Sequence, residues 1–345
     1  MDRAFTVVRA SHPIQFPRSY WVDGQLWTVF STVAQDSMEA HVARTDLARR
    51  AVVRTELLTP SNHAMSAFAS LAQSPERIAI AYDDDGYGER MTRFTMFERP
   101  REGGPLQQPL IEAGMWANTT SASIAYSPAL REWATFSASN EHVWSVRLRA
   151  DGTLIAGSGM RLAALRYDRR CGERFLWNGT SWIALAHRDD GTFVFVERGA
   201  QRDRVRPLGL RAQGAVSDAA FAFHSGRYAI AWIDDEGAKA SIVFDEQQFT
   251  RPQPLANANS HPGVPVVAHD GRQFVVLWTE TGERTTVHRA SITEDGVLSE
   301  PELFASDPVE HVWWPHITPR DGQRPAVFTF QVGQSEARVW TERWE

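Results

Sequence analysis

The chain has 345 residues, a formal net charge of −6 and a pI near 6.0. This balance, with Lys239 as the sole lysine, excludes the basic stripe expected of a nucleic-acid-binding protein. No apolar run approaches the roughly 20 residues of a membrane-spanning helix, and one cysteine, Cys171, excludes an intramolecular disulfide. We therefore expect a small-molecule or sugar ligand, no nucleic acid, no membrane, and a monomer or small homo-oligomer.

The N-terminal residues MDRAFTVVRASHP contain no charged segment followed by an apolar one. No secretory signal is therefore predicted, and the expected location is cytoplasmic, with a secreted mature form as the open alternative. Within this segment, residues 4–10 (AFTVVRA) have the composition of a β-strand.

The clearest unit in the chain covers residues 261–305. Strand patterns occur at 264–268, 274–278, 285–292 and 301–305, and the intervening turns contain His269-Asp270-Gly271, Thr281-Gly282 and Asp295-Gly296. Four short strands joined by tight turns predict one antiparallel sheet. Because such a sheet cannot cover its own faces, it must pack against further copies of itself.

The unit recurs along the whole chain. Aromatic or small residues equivalent to Trp278 return about every 50 residues, and the period closes when the two termini are joined. These marker residues are Phe30, Tyr82, Phe136, Ala186, Trp232, Trp278 and Phe328. The sequence therefore predicts seven equivalent sheets.

Turn residues support the same register. Five units place a glycine in the turn between the first and second strands, where a positive φ is required: Gly24, Gly179, Gly226, Gly271 and Gly322. Pro17, Pro265 and Pro315 align with one another, and we expect each to begin a first strand, where proline loses no ladder hydrogen bond.

The last unit lacks a fourth strand, whereas residues 4–10 supply a strand without a sheet. Pairing the two closes the ring and removes an exposed sheet edge. We predict an all-β protein, a single seven-bladed β-propeller of four-stranded antiparallel blades, closed by the N-terminal strand. The single domain covers 1–345, with blades at 11–59, 60–113, 114–165, 166–212, 213–258, 259–306 and 307–345 plus 4–10.

The pattern DG-x-x-aromatic-x-V-x-W followed by R-x-x-x-DG, clearest over 178–305, resembles the repeats of bacterial seven-bladed propellers. The resemblance implies the architecture and no particular activity, because propellers carry many functions.

Four histidines occupy similar positions in neighbouring blades. His12, His63, His261 and His311 each lie roughly 17 to 19 residues before a marker residue, ahead of the first strand of a blade. Imidazole is the commonest ligand for transition metals. We therefore predict that these histidines bind Fe, Cu, Mn or Zn at the axial mouth, with ordinary loop histidines as the alternative.

Other residues are candidates for the same pocket. Glu173 and Asp218 are predicted general bases beside a metal-bound water. Five more residues are predicted to line a substrate pocket there: Trp21, Trp116, Asn118, Trp314 and His316.

Three functional classes follow. The main prediction is a metal-dependent enzyme of the oxygenase or lyase type, acting on a small organic molecule. Carotenoid-cleaving oxygenases are similar in blade count and in their four histidines, although the chain lacks their motifs. The alternatives are a carbohydrate-binding propeller lectin and a protein-interaction scaffold without catalysis.

Overall fold

The structure is a computed structural model. It describes residues 4–34, 37–58, 66–84, 91–101, 104–107, 109, 111–117, 120–139, 142–166, 175–200, 202–245, 247–322 and 324–341; for residues 34, 66–68, 111–117 and 120–121 only the backbone is described. The described residues contain no helix long and apolar enough to cross a membrane.

Seven four-stranded antiparallel sheets form the blades of a β-propeller. The strands of the first four blades are β2 (Ile14–Val22), β3 (Gln25–Ala34), β4 (Ser37–Asp46) and β5 (Ala51–Leu57); β6 (Ser66–Gln73), β7 (Arg77–Asp84), β8 (Met91–Glu98) and β9 (Ile111–Ala117); β10 (Thr120–Ser127), β11 (Glu132–Ala138), β12 (His142–Arg149) and β13 (Met160–Ala163); and β14 (Phe175–Trp177), β15 (Trp182–His187), β16 (Thr192–Arg198) and β17 (Asp203–Arg211).

The remaining strands build blades five to seven and close the ring. They are β18 (Asp218–His224), β19 (Arg227–Asp234), β20 (Gly237–Val243) and β21 (Gln253–Asn257); β22 (Pro262–His269), β23 (Phe274–Thr281), β24 (Thr285–Ile292) and β25 (Glu302–Ala305); and β26 (Val312–Thr318), β27 (Val327–Val332) and β28 (Glu336–Trp340) with β1 (Phe5–Arg9). The predicted fold class is confirmed. Strand β9 extends past the predicted blade boundary at residue 113.

The predicted ring closure is also present. Strand β1 pairs antiparallel with β28, with Phe5 opposite Val339 and Arg9 opposite Glu336. Val7 is 1% exposed and packs in a cluster shared by the last and first blades. The N-terminal strand thus covers an edge that would otherwise expose unpaired backbone groups.

The hydrophobic core of the described residues consists of layers between adjacent blades. Each of the seven predicted marker residues lies in the second strand of its blade and is at most 3% exposed. Trp278, for example, packs with residues of β19 and β20 from the preceding blade. Burial of these faces against neighbouring blades, rather than within one sheet, explains why the repeat is needed for stability.

The predicted position of the aligned prolines is wrong in detail. Pro17, Pro265 and Pro315 lie inside β2, β22 and β26, each at a β-bulge. The preceding residues, Phe16, Val264 and Trp314, have φ values of 56°, 51° and 47°. The bulge leaves the proline without a ladder partner, which is why its missing N–H is tolerated inside the strand.

The first strands of the blades are the inner strands: β2, β6, β10, β14, β18, β22 and β26. Neighbouring inner strands contact each other, as β22 does with both β18 and β26. We call the end where inner strands begin, for instance at Asp218 and Pro262, the junction face. The other end, where tight turns join first and second strands, is the hairpin face. Gly24, Gly179, Gly226, Gly271 and Gly322 lie there with φ between 58° and 100°, as predicted.

Candidate functional site

An axial cavity of about 530 Å³ receives residues from all seven inner strands. The lining residues come from the second halves of these strands and from the turns that follow, such as His224 on β18 and Arg320 after β26. The cavity therefore lies toward the hairpin face. Its volume is in the range of pockets that enclose small ligands.

Aromatic side chains form much of the cavity wall. Four half-buried rings lie within the last three residues of inner strands in four blades: Tyr20, Tyr126, Trp177 and Phe223. Three of them pack against an aromatic partner across the hairpin: Tyr126 on Trp133 at 4.7 Å, Trp177 on Trp182 at 5.0 Å and Phe223 on Tyr228 at 4.9 Å between ring centroids. These contacts hold the rings in place while one face of each stays accessible.

Polar side chains also contribute to the wall. Nδ1 of His316 accepts the backbone N–H of Ser19 at 3.3 Å, and Nδ1 of His269 accepts the N–H of Gly271 at 3.1 Å. Because Nδ1 uses its lone pair in each case, we assign the ring proton to Nε2 of both histidines. Arg320 adds a guanidinium at the rim. No aspartate or glutamate is among the described lining residues.

Two of the lining histidines stack on each other. The rings of His224 and His269 are 3.5 Å apart and inclined by only 3°. Each Nε2 lies 3.9 Å from Oε1 of Glu294, which in turn pairs with Arg227 at 3.3 Å. Burial, and then the neighbouring His224, lower the pKa of His269, although Asp270 and Glu294 act in the opposite direction.

His224, His269 and Glu294 are the one group of three among the described residues whose ligand atoms lie within 4.8 Å of one another. The arrangement nevertheless does not fit a metal ion. A metal must lie in the plane of each imidazole that binds it, and two parallel planes 3.5 Å apart share no point. Moreover, Nε2 of His269 carries the ring proton, whereas a ligating histidine gives its lone pair to the metal and donates from the other nitrogen.

The predicted metal ligands that are described lie on separate elements. His12 is exposed and lines a groove of about 760 Å³ between β1 and the first blade, together with His41. His261 is exposed and ends a single 3-10 turn with φ of 47°. His63 lies outside the described residues. The described members do not form a group of three, so the four-histidine metal site stays a prediction.

His311, the remaining member, has another partner. Its Nδ1 accepts the backbone N–H of Thr285 from the neighbouring blade at 2.9 Å, and its ring stacks on Trp313 at 4.8 Å. Its proton is therefore on Nε2, which leaves no lone pair for a metal in this arrangement. The contact links blades six and seven and accounts for the histidine structurally.

Asp218, one of the two predicted catalytic carboxylates, does not line the axial cavity. Asp218 is 3% exposed, begins β18, and its Oδ1 accepts the N–H of Ala219 at 2.9 Å. Six strand steps of about 3.4 Å, roughly 20 Å in total, separate it along β18 from His224 at the hairpin face. Glu173 lies outside the described residues and stays a prediction.

Of the predicted pocket residues, His316 lines the axial cavity. Trp21 instead packs between blades, with its Nε1 donating to the carbonyl of Pro325 at 3.2 Å. Trp314 packs on Phe16 at 4.6 Å beside the bulge of β26. For Trp116 only the backbone, within β9, is described, and Asn118 lies outside the described residues.

The aromatic wall was missed by sequence reasoning, although the sequence carries a signal for it. An aromatic residue precedes the hairpin turn and another follows it in several blades: Tyr20 and Trp27, Tyr126 and Trp133, Trp177 and Trp182, and Phe223 and Tyr228. The second member of each pair is buried in the core. The first is the one that reaches the cavity.

Neither a protein-family profile nor a curated protein matches this sequence. Among solved structures, the NanB sialidase of Streptococcus pneumoniae matches with a TM-score of 0.55 and 7% identity, over 98% of this chain and 70% of that one. The β-propeller domain of the Trilobed protease from Pyrococcus furiosus matches with a TM-score of 0.54 and 11% identity, over 99% and 96%.

Trypanosoma rangeli sialidase, solved with 2,3-difluorosialic acid as a covalent intermediate, matches with a TM-score of 0.52 and 11% identity. The match covers 96% of this chain, which spans only 54% of the sialidase chain. At these identities the comparisons show the propeller fold alone, and they agree with the architecture predicted from the repeats.

Proposed function

We propose that this protein binds a carbohydrate in the axial cavity and does not itself cleave glycosidic bonds. The observation that carries the proposal is the wall of half-buried aromatic rings on four inner strands, with the guanidinium of Arg320 at the rim. A sugar ring has an apolar face that packs on aromatic rings, and its hydroxyl groups form hydrogen bonds with polar side chains.

The absence of carboxylates from the described lining argues for binding rather than hydrolysis. Most glycosidases need a pair of Asp or Glu residues on either side of the scissile bond. Two of the solved propellers that share the fold are sialidases by name. That likeness supports a carbohydrate ligand and gives no residue-level support for their chemistry.

The metal-dependent oxygenase or lyase predicted from the histidines receives no support from these comparisons. The ring geometry of His224 and His269 and the hydrogen bond of His311 also disfavour it. A cavity on the axis that is lined by all seven inner strands differs from the repeated sites of propeller lectins, and we therefore propose one sugar site per chain.

A glycan array followed by titration calorimetry tests the proposal. We expect binding to at least one glycan class with one site per chain. Trp177→Ala should weaken it about tenfold or more, because one stacked aromatic contributes on the order of 1 to 3 kcal/mol. Trp313→Ala is the matched control, since Trp313 is exposed at the junction face and outside the cavity lining. Equal losses in both variants would contradict the axial site.

A further inference from the structure

The cavity rim carries a cation without an acidic partner. Arg320 is exposed, its Nε donates to the carbonyl of Gly322 at 2.9 Å, and it forms no ion pair with any carboxylate in the described part of the chain. Its Cδ lies so close to Gly271 that a Cβ there would approach it to 2.7 Å. The guanidinium is thus held beside the turn that follows β22.

The acidic residues around this rim are already engaged. Asp321 pairs with Arg324 at 2.7 Å, and Glu294 pairs with Arg227 at 3.3 Å. Oδ1 of Asp270 accepts backbone N–H groups within its own turn, from Arg272 at 2.8 Å and from Gln273 at 3.0 Å. None of these carboxylates lines the cavity. Among the described residues that line the cavity, Arg320 is the one arginine, lysine, aspartate or glutamate, so its positive charge faces no carboxylate there.

The histidines of the wall add no charge of their own. Hydrogen bonds from the backbone to Nδ1 place the ring proton of His269 and of His316 on Nε2, and both Nε2 atoms are buried. Burial lowers the pKa of His269, which favours its neutral ring. An aromatic wall with one guanidinium and no carboxylate among the described lining residues complements a sugar that carries a single negative charge.

We infer that the sugar bound in the axial cavity bears a carboxylate, as a hexuronic acid does, and that Arg320 determines this specificity. The inference rests on the proposed carbohydrate function and adds the chemical class of the ligand. A guanidinium presents paired N–H donors that match the two oxygens of a carboxylate. A neutral sugar has a hydroxymethyl group in place of this carboxylate, and its hydroxyl oxygen offers the guanidinium only one, weaker acceptor.

Matched ligand pairs test the inference. Methyl β-glucuronide and methyl β-glucoside, and the corresponding galacto pair, differ only in the carboxylate. We expect the acidic member to bind about tenfold more tightly, the size of a solvent-screened hydrogen bond to a charged group. Raising the ionic strength from about 0.05 to about 0.5 M should weaken only the acidic member.

Arg320→Gln should abolish the difference within each pair, and it should lower the affinity for the neutral member far less than that for the acidic member. Arg320→Lys keeps the charge without the planar fork and should retain part of the preference. Arg272→Gln is the control, because it removes the same charge from an exposed position next to Gly271 that does not line the cavity. Circular dichroism and thermal unfolding verify that each variant is folded.

Equal affinity for acidic and neutral members, or a preference that survives Arg320→Gln, would overturn the inference and leave the carbohydrate function intact. Binding of no glycan on an array that contains both kinds would refute the proposed function, and the inference with it.

Discussion

Replacing His269 with asparagine is expected to make the protein less sensitive to acid. In the folded protein, burial and the stacked His224 lower the pKa of His269 below the ordinary value of 6.5. As the pH falls from about 6.5 through the folded pKa, the unfolded chain therefore takes up a proton that the folded chain does not. The free energy of unfolding must decrease in this window, by up to about 1.4 kcal/mol per pH unit for one group.

Protonation of His269 is unfavourable for two structural reasons. An imidazolium needs a proton on Nδ1, which would break the hydrogen bond from Gly271 at 3.1 Å. A positive charge on His269 would also be unfavourable because its ring is buried and stacked on a second imidazole at 3.5 Å.

Asparagine suits the experiment because its Oδ1 replaces Nδ1 as the acceptor for Gly271. At neutral pH, His269→Asn should cost about 1 kcal/mol through lost stacking on His224 and on Phe274. Between about pH 6.5 and pH 5, its free energy of unfolding should fall less steeply than that of the wild type. His261→Asn, at an exposed position, is the control.

Urea unfolding followed by tryptophan fluorescence at several pH values measures these slopes. Parallel slopes for His269→Asn and the wild type would refute the reasoning. A pH-dependent slope that disappears in His261→Asn would refute it as well.

Two further predictions concern the scaffold. Burial alone would raise the pKa of Asp234, but hydrogen bonds to its carboxylate outweigh burial and lower the pKa; they come from Gln213, Trp232, Glu236 and Lys239. Asp234→Asn should therefore lower the free energy of unfolding by about 3 kcal/mol at pH 7 and by less below about pH 4, as measured by chemical unfolding. An unchanged free energy of unfolding would contradict this role. Val7→Asp should lower the free energy of unfolding by about 3 kcal/mol or more and increase hydrogen exchange in β28, because it places a charge in the apolar cluster shared by the last and first blades. Hydrogen exchange in β28 no faster than in the wild type would show that β1 does not hold the ring closed.

The fold was largely predictable because the repeat reflects burial. The second strand of each blade packs against the neighbouring blades and must be apolar. Large buried residues such as Trp232 and Trp278 therefore recur at the same position of successive blades. The closing role of β1 follows from counting strands. The bulges at Pro17 and Pro265 were not predictable, since the positive φ before each proline leaves no compositional sign.

The sequence predicts a site at the junction face, whereas the axial cavity lies toward the hairpin face. Aligned positions such as those of His261 and His311 indicate which loop a histidine occupies, but not where its ring points or what it binds. The backbone N–H of Thr285 donates to His311 from another blade, and such an alignment cannot identify this contact. Of each aromatic pair around a hairpin, one member is buried in the core and the other lines the cavity.

Several predictions are tested by none of these observations. The transition metal, the catalytic roles of Glu173 and Asp218, the cytoplasmic location, the bacterial origin and the monomeric or small oligomeric state all stay predictions.

The central claim is that the ligand occupies the hairpin-face end of the channel. Oxidative footprinting of tryptophans, read residue by residue by mass spectrometry with and without a glycan identified on the array, tests it directly. Trp177 lines the cavity, whereas Trp313 is exposed where β26 begins at the junction face. We predict that the glycan protects Trp177 and leaves Trp313 unchanged. Protection of Trp313 with Trp177 unaffected would place the site at the opposite end, beside His261 and His311, and would contradict the account.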